Sequence, residues 1–152
     1  MTYVPLRIVA GLDAQGKSCV VSAEPIPAVA DPARMGVTVL WSGTAGRVSN
    51  AAPFAGGFAP FGMELLTDPV YAMMLAHYPP GLGRDDPGMH YTNTADHFCV
   101  IEGECVLVLE SGDVTLRAGD VGVCRGVMHG WRNDSYAPCR LVTFVLPAEP
   151  MA

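Results

Sequence analysis

From residue 105 onward the chain is a succession of short β-branched runs, Cys105 to Glu110, Val114 to Arg117, Val121 to Cys124 and Cys139 to Leu146. Between them stand Ser-Gly-Asp, Ala-Gly-Asp and Asp-Ser-Tyr-Ala-Pro. Glycine and aspartate turn a strand back on itself, and no window keeps a helical period, so the pattern predicts an all-β sandwich or closed barrel. The same reading extends upstream. Arg7 to Ala10 and Ser18 to Ala23, joined by the turn-like Gly11 to Gly16, predict an N-terminal hairpin; Val37 to Trp41 and Val70 to Tyr78 predict two more strands. Three prolines between Pro25 and Met35 argue against regular structure there. Residues 42–62, rich in Gly, Ala, Ser and Pro, predict an irregular segment whose Phe54, Phe58 and Phe61 pack over something apolar, either as a lid on the barrel or as a surface or subunit-contact arm. No internal repeat is visible, which predicts one domain over residues 1–152: a hairpin and arm over 1–62, then a barrel over 63–148.

Half of the 152 residues are apolar, enough to fill one core. The net charge of −6 and the lack of any Lys/Arg cluster exclude an electrostatic footprint for nucleic acid or an anionic membrane. Neither a basic leader with a long apolar run nor a window of about 18 uncharged apolar residues is found, so a cytoplasmic location is expected. Five scattered cysteines without a C-x-x-C pair predict reduced, buried thiols.

Chemistry concentrates between His90 and His129. His90, Thr92 and Asp96 fall at even spacings along what reads as one extended segment, and a period-2 backbone would put them on one face. His129 follows a Gly-Asp turn and the run from Val121 to Cys124, so a hairpin path returns it beside them. Two imidazoles and a carboxylate with open positions are the donors of a divalent metal centre; without metal they would serve as acid and base. Around them His77, Tyr91, Thr92, Cys124 and Trp131 are candidates for the substrate pocket, with several methionines able to line a cavity for a flat, largely apolar ligand.

The segment resembles the cupin superfamily. Its first motif, G-x5-H-x-H-x3,4-E-x6-G, lies over His90, Thr92, Asp96 and Gly103; its second, G-x5-P-x-G-x2-H-x3-N, lies over Gly119, Arg125-Gly126, His129 and Asn133 with one residue fewer. Thr92 replaces the second His and Asp96 the Glu. The run is also similar to a group of small single-domain cupins whose local pattern is itself His-x-Thr-x-Thr-x-x-Asp; Tyr91 and Cys124 stand where that group would have Arg and Gln. The resemblance implies a single jelly-roll type barrel with an N-terminal hairpin or arm. It further implies one divalent ion held by His90, Asp96 and His129, with Fe(II) favoured and Zn, Ni or Mn as alternatives, and a homodimer formed through the N-terminal segment. The implied activity is that of a small-molecule metalloenzyme. A non-haem Fe(II) oxygenase acting on a small, partly apolar enol, phenol or carbonyl compound leads. A metal-dependent or metal-free acid–base enzyme (isomerase, lyase, dehydratase or cyclase) is the alternative, and a non-catalytic small-molecule binding module the third reading.

Overall fold

The computed structural model describes residues 4–50 and 56–150. Eleven strands are found among them: β1 (Leu6–Leu12), β2 (Ser18–Pro25), β3 (Gly36–Thr44), β4 (Ala59–Pro60), β5 (Val70–Tyr78), β6 (Thr94–Glu102), β7 (Glu104–Leu109), β8 (Val114–Arg117), β9 (Val121–Arg125), β10 (His129–Arg132) and β11 (Cys139–Pro147). The only other element is a 3-10 turn at Met63–Leu66. None of the described helices is long and apolar enough to cross a membrane.

The strands form an antiparallel six-stranded sheet in the order β4-β3-β5-β11-β6-β9, a three-stranded sheet β10-β7-β8, and the separate hairpin β1-β2. β3, which precedes residue 63, is hydrogen-bonded along most of its length to β5, so the large sheet reaches back into the N-terminal region. Alternation decides which side chains are inside. On β5 the register places Ala72, Met74, Ala76 and Tyr78 opposite Val145, Thr143, Leu141 and Cys139 of β11. This inward row is nearly solvent-free, packed between β11 and β3 with mostly apolar cross-strand partners. The row continues onto β6 through Val100 opposite Leu141 and Phe98 opposite Thr143.

The two sheets meet through aromatic contacts. Trp131 on β10 lies 5.5 Å from the Tyr78 ring and 5.4 Å, edge-on, from the Phe98 ring, joining the small sheet to the large one across the core. Phe98 has room because its neighbour on β9 is Gly122; a Cβ there would penetrate the Phe98 ring. All five cysteines are free, and Cys105, Cys124 and Cys139 are buried, as small hydrophobes are.

The hairpin is tied on by Arg7, which donates to the Leu40 carbonyl at 2.9 Å, pairs with Glu24, and stacks its guanidinium 4.1 Å over the Phe58 ring. Phe58 thus sits against the hairpin. Phe61 is exposed, and Phe54 lies outside the described residues.

Candidate functional site

The chain from His90 to Asp96 is not one straight strand. It bends at Asn93: His90 forms an isolated antiparallel bridge with His129, and β6 begins only at Thr94. His90 therefore belongs to the edge of the small sheet, while Asp96 belongs to the large one. The bridge is a mutual pair, with His90 N–H donating to His129 O and His129 N–H to His90 O, both at 2.9 Å. Directly opposed residues of such a pair project to the same face, and the two imidazoles sit 4.5 Å apart between centroids. Gly130 allows this approach: the segment before His90 crosses it so closely that a Cβ would lie 2.6 Å from the Pro87 carbonyl oxygen.

Both rings are oriented in the same way. His90 Nδ1 lies 2.7 Å from the Gly88 carbonyl and His129 Nδ1 2.9 Å from the Val127 carbonyl. A carbonyl only accepts, so Nδ1 of each ring carries the proton, and Nε2 of each neutral ring keeps its lone pair. His129 is buried at 3 % exposure and His90 is exposed. His129 shares its face of β10 with Trp131, and so looks into the barrel.

Asp96 enters from the other sheet, on the face of β6 that carries Phe98, opposite Cys124 of β9 and Val145 of β11. Its Oδ1 accepts from Thr94 Oγ1 at 2.6 Å, and Thr94 Oγ1 lies 2.6 Å from Thr92 Oγ1. The even-spacing argument thus holds from Thr92 to Asp96. Burial pushes the Cys124 thiol up from its ordinary range, with the Asp96 charge as a second cause and a backbone hydrogen bond at Val127 opposing both. Burial likewise pushes the Tyr78 phenol up from its ordinary range, with the Asp96 charge as a lesser cause. Cys124 is therefore a protonated thiol at neutral pH, with the packing role of a small hydrophobe.

Three sequence expectations need correction. The three-donor metal centre is not assembled: among the described residues no three His, Cys, Asp or Glu side chains are grouped so as to hold a metal ion. The bend at Asn93 puts His90 and Asp96 on different sheets, and Thr94 holds the carboxylate. The imidazole pair suits a metal, since both Nδ1 atoms are fixed by carbonyls as ligating histidines require, but the carboxylate does not complete the set. His77 lies on the face of β5 opposite Tyr78, where its Nε2 donates to the Pro32 carbonyl at 3.0 Å; it does not line the interior. Tyr91, at 62 % exposure, also lies outside it.

Cys124 lies in the core cluster with Tyr78 and Phe98, Trp131 packs against it, and Thr92 is half-buried and linked to Asp96 through Thr94. Sequence reasoning passed over two residues there. Thr94 was legible as the middle member of the alternating Thr92, Thr94, Asp96 series. Tyr78 carried no signal, because sequence could not tell which face of Val70 to Tyr78 is inside.

Residues 74–145 match the cupin domain family. This stretch is a cupin domain. The matched range holds His90, Asp96 and His129, together with every strand from β6 to β10. The chain is 45% identical over 65 residues to a phomopsin biosynthesis cluster protein of Diaporthe leptostromiformis, covering 41% of this chain and 34% of that one. Over 54 residues it is 46% identical to a cupin-domain-containing oxidoreductase of Neurospora crassa, covering 34% and 28%. The chain spans about a third of the length of these curated relatives. A double-stranded β-helix protein from Klebsiella pneumoniae superposes with a TM-score of 0.45 at 25% identity, over 53% of this chain and 70% of that one.

Proposed function

We propose that the chain is a small-molecule enzyme in which His90 and His129, opposed across the β-bridge, transfer protons on a small, partly apolar enol, phenol or carbonyl compound held inside the cupin barrel. The observation that carries this reading is the placement of both Nδ1 atoms against backbone carbonyls with the rings 4.5 Å apart, which leaves Nε2 of each ring to accept a proton. Buried His129 is the better placed base. His90, on the solvent side, can return the proton to bulk water. Trp131 and Phe98 offer a flat apolar wall for the ligand.

The relatives named as cupin-domain-containing oxidoreductases favour a second reading, an oxygenase built on a divalent ion. In this arrangement such an ion would find His90 and His129 as protein donors but not Asp96. Elemental analysis of protein purified without added metal, followed by oxygen uptake with small enols, phenols and diketones, separates the two. Iron at one equivalent with oxygen consumption overturns the proton-transfer reading. Turnover without oxygen uptake, lost in His129→Ala with the circular dichroism spectrum unchanged, supports it. Ligand binding without product would instead leave a binding module.

The chain is further proposed to form a homodimer through the hairpin β1-β2, whose outward residues Leu6, Ile8, Leu12 and Val20 are exposed. Light scattering on the 152-residue chain and on a variant lacking residues 1–25 tests this; the same number of subunits in both would refute it.

A further inference from the structure

A chain of hydroxyls ends on Asp96, and its hydrogen-bond sense is fixed by chemistry. Thr94 Oγ1 lies between Asp96 Oδ1 and Thr92 Oγ1, 2.6 Å from each. A carboxylate has no proton to give, so the single O–H of Thr94 is directed to Asp96. Towards Thr92 the Thr94 oxygen can then only accept, and Thr92 must direct its own O–H inward. What Thr92 presents outward is lone pairs alone. Thr94, at 1 % exposure, is closed to solvent, whereas Thr92 is only half-buried and is where a ligand can reach the series. The negative charge at the far end polarises both bonds and holds them in this direction.

We infer that the barrel interior selects ligands that offer an O–H or N–H donor to Thr92, and that Thr94 is the positioning residue that imposes this preference. A phenol or enol satisfies Thr92; the matching ether or a bare carbonyl sets oxygen against oxygen with no proton between them. The inference rests on the small-molecule reading above and narrows its substrate class from enol, phenol or carbonyl to the first two. Thr94 touches neither the ligand nor the imidazoles. It acts by removing the choice that a free threonine hydroxyl has, to donate or to accept.

Phenol and anisole are the minimal probes, alike in ring and differing in the donor. Each is titrated into 15N-labelled protein, and the amide shifts of residues 92–96 and the Trp131 indole signal give the two affinities. Wild type should bind phenol about tenfold tighter than anisole, the worth of one hydrogen bond withheld from an otherwise facing acceptor. In Thr94→Val, where Thr92 regains a free O–H, the ratio should fall to within about twofold; in Thr94→Ser it should return to about tenfold. Should Thr94→Val not fold, Thr92→Val removes the acceptor itself and must abolish the preference. Equal affinities in wild type, a preference that survives in the valine variants, no recovery in Thr94→Ser, or no shift at Thr92 with either probe would each overturn the inference. The readout is binding, so a failure here is distinct from a failure of the proton-transfer reading, which concerns turnover in His129→Ala.

Discussion

Asn133, the last residue of the second motif, should be the most costly polar position in the cupin domain to truncate. Its side chain has no exposed surface and makes four hydrogen bonds: Nδ2 donates to the Tyr78 and Ala137 carbonyls, both at 2.9 Å, and Oδ1 accepts from Ser135 N at 3.0 Å and Ser135 Oγ at 2.7 Å. It thereby joins the end of β5 to the turn before β11. In Asn133→Ala the Ser135 N–H can turn towards solvent, and the single Ser135 hydroxyl proton, no longer shared with Asn133, can go wholly to Ala137 O at 2.9 Å. The Tyr78 carbonyl loses this donor in a buried setting. Two to three lost bonds at about 1 kcal/mol each, plus the cost of a desolvated acceptor, give about 3–4 kcal/mol. For a chain of this size that corresponds to a fall in Tm of about 6–16 °C. Urea denaturation followed by tryptophan fluorescence measures the loss. Asn133→Asp should be at least as damaging at neutral pH, because a carboxylate would face two carbonyls with no proton to offer. A loss below about 1 kcal/mol in Asn133→Ala would refute the account of this residue as the tie between β5 and the turn.

Gly122→Ala forces a methyl group against the Phe98 ring, and overpacking of this kind should cost about 1–3 kcal/mol in the same denaturation experiment. Cys124, its thiol pushed up by burial and by Asp96, should resist iodoacetamide at pH 8 in the folded protein and react once urea is added; mass spectrometry of the Cys124 peptide decides, and rapid labelling of native protein would contradict its burial. The raised phenol of Tyr78 contributes stability that is fully present below the unfolded tyrosine value of about 10 and is lost as pH rises from there, since the unfolded chain ionises first. Stability of Tyr78→Phe measured across pH 9 to 12 should therefore decline less steeply than that of wild type, and parallel curves would remove this linkage.

The strands were legible because their signals are local. Glycine and aspartate punctuate the runs from Cys105 to Leu146, and the structure places β7, β8, β9 and β11 there to within one residue. Alternation from Thr92 to Asp96 was also legible, since a period of two operates within a single strand. His90 shows where that reasoning stops. Nothing local marks Asn93 as a bend, and the position of His90 is set by the bridge it makes with His129, 39 residues away along the chain.

Sequence by itself determined that this chain is all-β and that its histidine and acid chemistry is concentrated between His90 and His129. The physical reason is that turn propensity and side-chain alternation belong to a few consecutive residues. Only the tertiary structure decided which faces of the strands became interior, so that Tyr78 entered the core while His77 turned to Pro32. It also decided that the two imidazoles pair on one sheet while Asp96 stays on the other, held by Thr94. Those outcomes depend on how one sheet packs against another, an energy shared among residues far apart in sequence and carried by no single segment.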